Sequence, residues 1–185
     1  MTGSRVSTNF SLPPLTVVLG GARSGKSAIA ERLVVATRRP RIYLATADAW
    51  DDEMRARIAQ HRSRRDGWTT IEVPRDVAKA IAGVMAGSVV LVDCATLWLT
   101  NVMLAGGDPL AEEAALLAAL QGCAVPVVVV TNEVGMSIVP ENALARAFRD
   151  AQGRLNQRLA AEAGLVVAVW AGLPLILKGQ IEGIW

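Results

Sequence analysis

The chain has 185 residues, 52 % of them hydrophobic but only 4 % aromatic, so one domain with a core of Ala, Val, Leu and Ile is the simplest organisation. A formal net charge of +2 is too near balance for a general nucleic-acid surface. The two cysteines, Cys94 and Cys123, lie in or beside apolar runs without metal-ligand spacing, which suits buried free thiols in a reducing cytoplasm.

Residues 1–14 lack the continuous apolar core of a signal peptide and are expected to form a flexible extension, leaving 15–185 as a single domain. The β-prone run Leu15 to Leu19 predicts a strand, and Ala28 to Leu33 is compatible with a helix. Arg41 to Ala45 reads as a second strand. Asp51 to Arg62 reads as a helix, with acidic residues leading and basic residues closing it. Thr69 to Val73 predicts a short strand, Arg75 to Ala86 a helix, and Ser88 to Asp93 a strongly apolar strand ending in a carboxylate. Next come an Ala/Leu/Glu helix over Pro109 to Leu120 and a buried strand over Pro126 to Thr131. Pro140 to Glu162 predicts a long amphipathic helix with Leu144, Phe148, Ala151, Leu155 and Leu159 on one face. Leu165 to Trp170 and Leu173 to Lys178 read as closing strands. The apolar stretch Leu165 to Leu177 is interrupted by Gly172 and Pro174 and is shorter than the about 20 residues a bilayer span needs, so no membrane insertion is expected.

Near-continuous apolar strands separated by helices imply an α/β fold with a mostly parallel central sheet and helices on both faces. Ligands of such sheets bind beyond the carboxyl ends of the strands. The informative loops therefore follow Leu19, Ala45, Asp93 and Thr131.

The first of these loops is Gly20-Gly21-Ala22-Arg23-Ser24-Gly25-Lys26-Ser27, which fits Gly-x-x-x-x-Gly-Lys-Ser/Thr between a strand and a helix. Glycines let successive backbone N–H groups turn inward onto phosphate oxygens, and the helix N-terminus adds partial positive charge. Lys26 is placed to reach the β- and γ-phosphates, and Ser27 to join the shell of a Mg²⁺ ion. Asp93, closing a buried strand, needs solvation, pairing or a metal, and Mg²⁺ supplies that compensation. The plainer alternative for Asp93 is a cap on the next helix, beginning near Ala95-Thr96.

His61 is the only histidine, and Arg57, Arg62, Arg64 and Arg65 surround it in sequence. Guanidinium groups beside an imidazole disfavour its protonated form, keep a ring nitrogen nucleophilic, and bind triphosphate. Attack on an α-phosphate would divide nucleotidyl transfer into two steps. Two plainer readings stay open: a solvated basic helix end, or the lid of a simple kinase with His61 a bystander. A nucleotide-switched interaction protein is a third. An RNA-binding patch is weaker, because Trp68 alone supplies no aromatic platform. Glu133 and Asn142 flank a Gly/Pro-containing loop after a central strand and are candidates to face the site, against a strand-end charge and a helix cap.

The phosphate loop, Tyr43-Leu44-Ala45-Thr46-Ala47, Asp51 to Met54 with Arg57-Ile58 and His61, and Thr131 to Asn142 together resemble one family in order and spacing. Phe148-Arg149-Asp150 and Gly153 to Gln157 extend the match, which covers roughly Leu15 to Lys178. The family is the bifunctional adenosylcobinamide kinase / adenosylcobinamide-phosphate guanylyltransferase of cobalamin assembly. The resemblance implies a three-layer, RecA-like P-loop NTPase domain that phosphorylates adenosylcobinamide with ATP or GTP. The same domain then transfers GMP from GTP to the new phosphate through a guanylylated histidine. It implies His61 as that nucleophile and Lys26 as a catalytic group. It also implies nucleotide contacts at Gly21, Ala22, Arg23, Ser24, Gly25, Lys26, Ser27, Ala28, Ala45, Thr46, Ala47, Arg62, Ser63, Arg64, Arg65, Glu72 and Asp93. Ser27 and Asp93 are the implied Mg²⁺ ligands. Some members carry Glu where this chain has Asp93, and the shorter side chain suits a water-mediated metal contact. The implied partners are a corrinoid substrate and two further copies of the chain in a cytoplasmic homotrimer.

Overall fold

Valine-rich strands with both faces buried can be satisfied only inside a sheet covered on both sides, and that is the observed arrangement. The structure, a computed structural model, describes residues 10–48 and 66–181. Its strands are β1 (Leu15–Gly20), β2 (Arg41–Ala45), β3 (Trp68–Glu72), β4 (Val89–Asp93), β5 (Val127–Asn132), β6 (Leu165–Trp170) and β7 (Leu173–Lys178). They form one seven-stranded sheet in the order β3-β2-β4-β5-β1-β6-β7, parallel except for β7, which pairs antiparallel with β6. The helices are α1 (Lys26–Ala36), α2 (Val77–Ala82), α3 (Ala95–Leu104), α4 (Pro109–Gly122) and α5 (Ala143–Glu162).

Alternation along the central strands divides the core in two. Val17, Val90, Val92, Val127 and Val129 pack with Ile81, Trp98, Leu116 and Leu155 from α2 to α5. Val18, Leu91, Val128 and Val130 face the other way, onto Ile29, Leu33 and Val34 of α1. Burying each such side chain contributes about 1.5–3 kcal/mol. Trp98, the largest fully buried residue, donates its indole N–H to the Arg75 carbonyl at 2.8 Å, so its one polar atom is satisfied.

Three expectations are adjusted. The helix expected over Arg75 to Ala86 is only Val77–Ala82, because the Gly83 N–H closes onto the Lys79 and Ala80 carbonyls. The long helix begins at Ala143 rather than Pro140: Asn142 Oδ1 accepts from the Leu144 and Ala145 N–H groups and sets the start. The described end of the expected flexible extension is held down, with Leu12 buried and Phe10 packed beside it on the α1 side. The helix expected over Asp51 to Arg62 lies outside the described residues.

Two helices are tied to the carboxyl edge of the sheet. Thr96 on α3 accepts from the Asn132 N–H at 2.8 Å, and Asn101 donates to the Thr46 and Pro74 carbonyls at 2.8 and 3.0 Å. The middle of α5 is fixed by Gln152, which donates to Thr131 Oγ1 at 2.9 Å, and by Asn156, which donates to the Asn132 carbonyl at 3.0 Å. The Asn142 cap stands ten positions before Gln152. At 1.5 Å per residue α5 begins about 15 Å along its own axis from Gln152, on the carboxyl side of β5. Among the described residues no helix is long and apolar enough to cross a membrane.

Candidate nucleotide site

The phosphate loop leaves β1 at Gly20 and enters α1 at Lys26. Two glycines are required by its shape. A Cβ on Gly20 would lie 2.5 Å from the Val169 carbonyl and 2.6 Å from Ser24 Oγ, so the Ser24 hydroxyl occupies the space glycine leaves. Gly25 sits at φ 94°, and a Cβ there would press to 3.2 Å from Gly172 Cα. The β6–β7 turn also holds the loop, the Gly172 N–H donating to the Ser24 carbonyl at 2.8 Å. Lys26 Nζ donates back to the Gly21 carbonyl at 3.1 Å, which keeps the ammonium over the loop. Ser24 Oγ is buried without a hydrogen-bond partner among the described residues, as is Asn132 Oδ1 at the end of β5, the register partner of Gly20.

Asp93 ends β4 and is half-buried. The Tyr43 hydroxyl donates to its Oδ2 at 2.8 Å, fixing the carboxylate while leaving lone pairs open. Cys94, not Asp93, occupies the position before α3, so the helix-cap alternative for Asp93 does not hold. The peptide joining Asp93 to Cys94 is cis. Burial, then the Asp93 charge, push the Cys94 thiol up to about 11, while Lys26 pulls it the other way. The loop leaves the carboxyl end of β1 and Asp93 closes β4, so Lys26 and the carboxylate share the carboxyl edge of the parallel sheet. A hydroxyl at Ser27 and a carboxylate at Asp93 are hard oxygen donors that fit Mg²⁺. Among the described residues no cluster of three or more His, Cys, Asp or Glu could hold a metal. Such an ion would complete its shell with nucleotide oxygens and water.

Thr46 is fully buried, and its hydroxyl donates to the Cys94 carbonyl at 2.8 Å while accepting from the Cys94 N–H at 2.7 Å. Its side chain clamps β2 to the β4–α3 turn, with Ala45 closing β2 and the half-buried Ala47 following at the carboxyl edge. Ala28 is exposed in the first turn of α1, and Glu72 is exposed at the carboxyl end of β3. Glu133 follows β5, its N–H donating to the Gly20 carbonyl, and its side chain accepts from the Gly135 N–H at 2.7 Å within the loop. Asn142 serves as the α5 cap. His61, Arg62, Ser63, Arg64 and Arg65 lie outside the described residues. The sequence assigns no role to Tyr43, Thr96, Asn101 or Gln152, and leaves Asn156 open between solvated face and subunit contact. Only the fold shows their partners: the Asp93 carboxylate for Tyr43, the Thr131 hydroxyl for Gln152, and backbone groups for Thr96, Asn101 and Asn156.

The family model described as cobinamide kinase / cobinamide phosphate guanyltransferase matches residues 16–177. This chain belongs to that family. The bifunctional adenosylcobalamin biosynthesis protein CobP of Pseudomonas aeruginosa is 44 % identical over 169 residues, covering 89 % of this chain and 97 % of the relative. CobU of Escherichia coli strain K12, with the same description, is 43 % identical over 181 residues, covering 89 % and 99 %. Among solved structures, the ATPase domain of G40P superposes with a TM-score of 0.53 at 10 % identity, over 89 % of this chain and 76 % of that one. That likeness concerns the fold alone and agrees with a RecA-like phosphate-loop domain. The family match makes this chain an enzyme, and it adds the activity that the loop alone leaves open.

Proposed function

We propose that the chain phosphorylates adenosylcobinamide with ATP or GTP and then transfers GMP from GTP to adenosylcobinamide phosphate, yielding adenosylcobinamide-GDP and pyrophosphate. The observation that supports this reading is one phosphate loop with Lys26 and Asp93 at a common edge of the sheet, in a chain of this family. In the first reaction the acceptor hydroxyl attacks the γ-phosphorus, the bond to the β–γ bridging oxygen breaks, the nucleoside diphosphate leaves and the hydroxyl proton passes to solvent. In the second, a ring nitrogen of His61 attacks the α-phosphorus of GTP and pyrophosphate leaves. A phosphate oxygen of the acceptor then attacks the same phosphorus and releases the imidazole. The loop N–H groups and Lys26 hold the phosphates in both reactions, and Arg62, Arg64 and Arg65 offset the charge that develops. Mg²⁺, held through Ser27 and Asp93, would neutralise phosphate charge.

The working form is a cytoplasmic homotrimer. Trp170, Leu173, Leu175 and Leu177 are each more than half exposed on the β6–β7 hairpin, an apolar strip at a sheet edge that favours self-association. Light scattering behind size exclusion measures that assembly.

The decisive experiment incubates the protein with α-labelled GTP and Mg²⁺. An acid-labile, alkali-stable protein–GMP adduct is expected with the native chain and lost in His61→Ala. Absence of labelling, or undiminished labelling of the variant, overturns the histidine route.

A further inference from the structure

The apolar face of α5 does not end where the core ends. Ala151, Leu155 and Leu159 are buried, Phe148 is half-buried, and Leu144, on the same face, is 55 % exposed. These last two residues belong to the segment that projects beyond the carboxyl edge. Opposite them stand Met103 and Leu104 of α3, the latter 57 % exposed. Together they wall a largely apolar groove of about 300 Å³, which Thr100 and Asn142 also line. Leu104 also borders a second cleft of about 360 Å³, where the polar side chains of Asp48, Arg75, Asp76 and Asn101 stand beside Pro74 and Ala105. An apolar trough and a polar cleft thus meet across a single side chain, on the sheet edge that carries the phosphate loop.

We propose that this double groove is the corrinoid acceptor site. The inference rests on the reading given under Proposed function and names the place that reading leaves open. An acceptor must bind apart from the nucleotide yet reach its γ- and α-phosphates, which restricts it to the carboxyl edge. A corrinoid is an apolar macrocycle fringed with carboxamide arms. The macrocycle edge fits Met103, Leu104, Leu144 and Phe148, and the carboxamides, each both donor and acceptor, suit Arg75, Asp76 and Asp48. The groove is open to solvent, so it grips one edge of the ring and leaves the hydroxyl-bearing arm free to extend toward the nucleotide.

The test measures retention of adenosylcobinamide by ultrafiltration, read from its visible absorbance, on the full chain. Leu144→Glu and Leu104→Glu each place a charge in the trough. Each should weaken corrinoid binding at least about 10-fold, since even one methylene in an apolar pocket changes discrimination by that factor. Leu144→Met should restore binding. Met85→Glu, another exposed apolar residue outside either cleft, should bind as the native chain does. The melting temperature of each variant with GTP reports that its fold is retained. Native-like corrinoid binding by both glutamate variants overturns the groove assignment alone. Failure of the native chain itself to bind or phosphorylate adenosylcobinamide overturns the functional reading, and the groove assignment with it.

Discussion

The phosphate loop and the groove between α3 and α5 share one edge of the sheet, yet they are built differently. The loop is made by eight consecutive residues, and its contacts are mainly backbone: Gly172 to Ser24, Lys26 to Gly21, and glycines that admit Val169 and Gly172 close to the chain. The groove is made by side chains from segments some forty residues apart, held by Asn101, Gln152 and Asn156 at the edge. A site for phosphate, a small and invariant ligand, suits repeated N–H groups and needs little side-chain variety. A site for a large acceptor needs surface, which only separate elements brought together supply.

That contrast can be broken at either end. The largest effect is expected at the loop: Lys26→Ala should lower the rates of both γ-phosphate transfer and GTP-dependent labelling by about 10²–10³-fold, as loss of one charge-stabilising donor does elsewhere. A variant that lost only one half-reaction would mean that the two do not share a cradle. Next comes the clamp between β2 and the β4–α3 turn. Thr46→Val leaves the buried Cys94 N–H without its partner, while the Cys94 carbonyl keeps the Trp98 N–H, and should cost about 1–3 kcal/mol in denaturant unfolding; Thr46→Ser should lose much less. The smallest effect belongs to the projecting end of α5. Asn142→Ala removes the cap on the Leu144 and Ala145 N–H groups and should cost about 1 kcal/mol in the same assay. Its KM for the corrinoid should rise while its KM for GTP stays the same. An equal rise in both would dissolve the distinction between the two regions.

Much of this architecture could be read before folding because its causes are local. β2, β6 and β7 fall on the residues that alternation and turn signals mark, and the strand–glycine–helix context identifies the phosphate loop. Asp93 was recognisable by its place at the end of an apolar strand. Its partner Tyr43, 50 residues away, was not, because nothing in either neighbourhood refers to the other. Thr46 fits a nucleotide contact by position, but the fold commits its hydroxyl to Cys94. Asn142 is a loop residue by sequence and a helix cap by geometry. Leu144 continues the core pattern of α5 but is left exposed, and Phe148 packs only at the margin of the core, because the ties at Gln152 and Asn156 decide where the sheet ends against that helix.

The sequence by itself determined the strands, their mostly parallel arrangement, the phosphate loop and the family, all of which follow from short-range pattern and spacing. Only the tertiary structure decided which apolar residues are left uncovered, which polar ones are consumed as struts, and that a trough and a polar cleft meet at Leu104. The reason is physical: periodicity specifies a face, but what covers that face depends on the length and placement of elements far away in the chain.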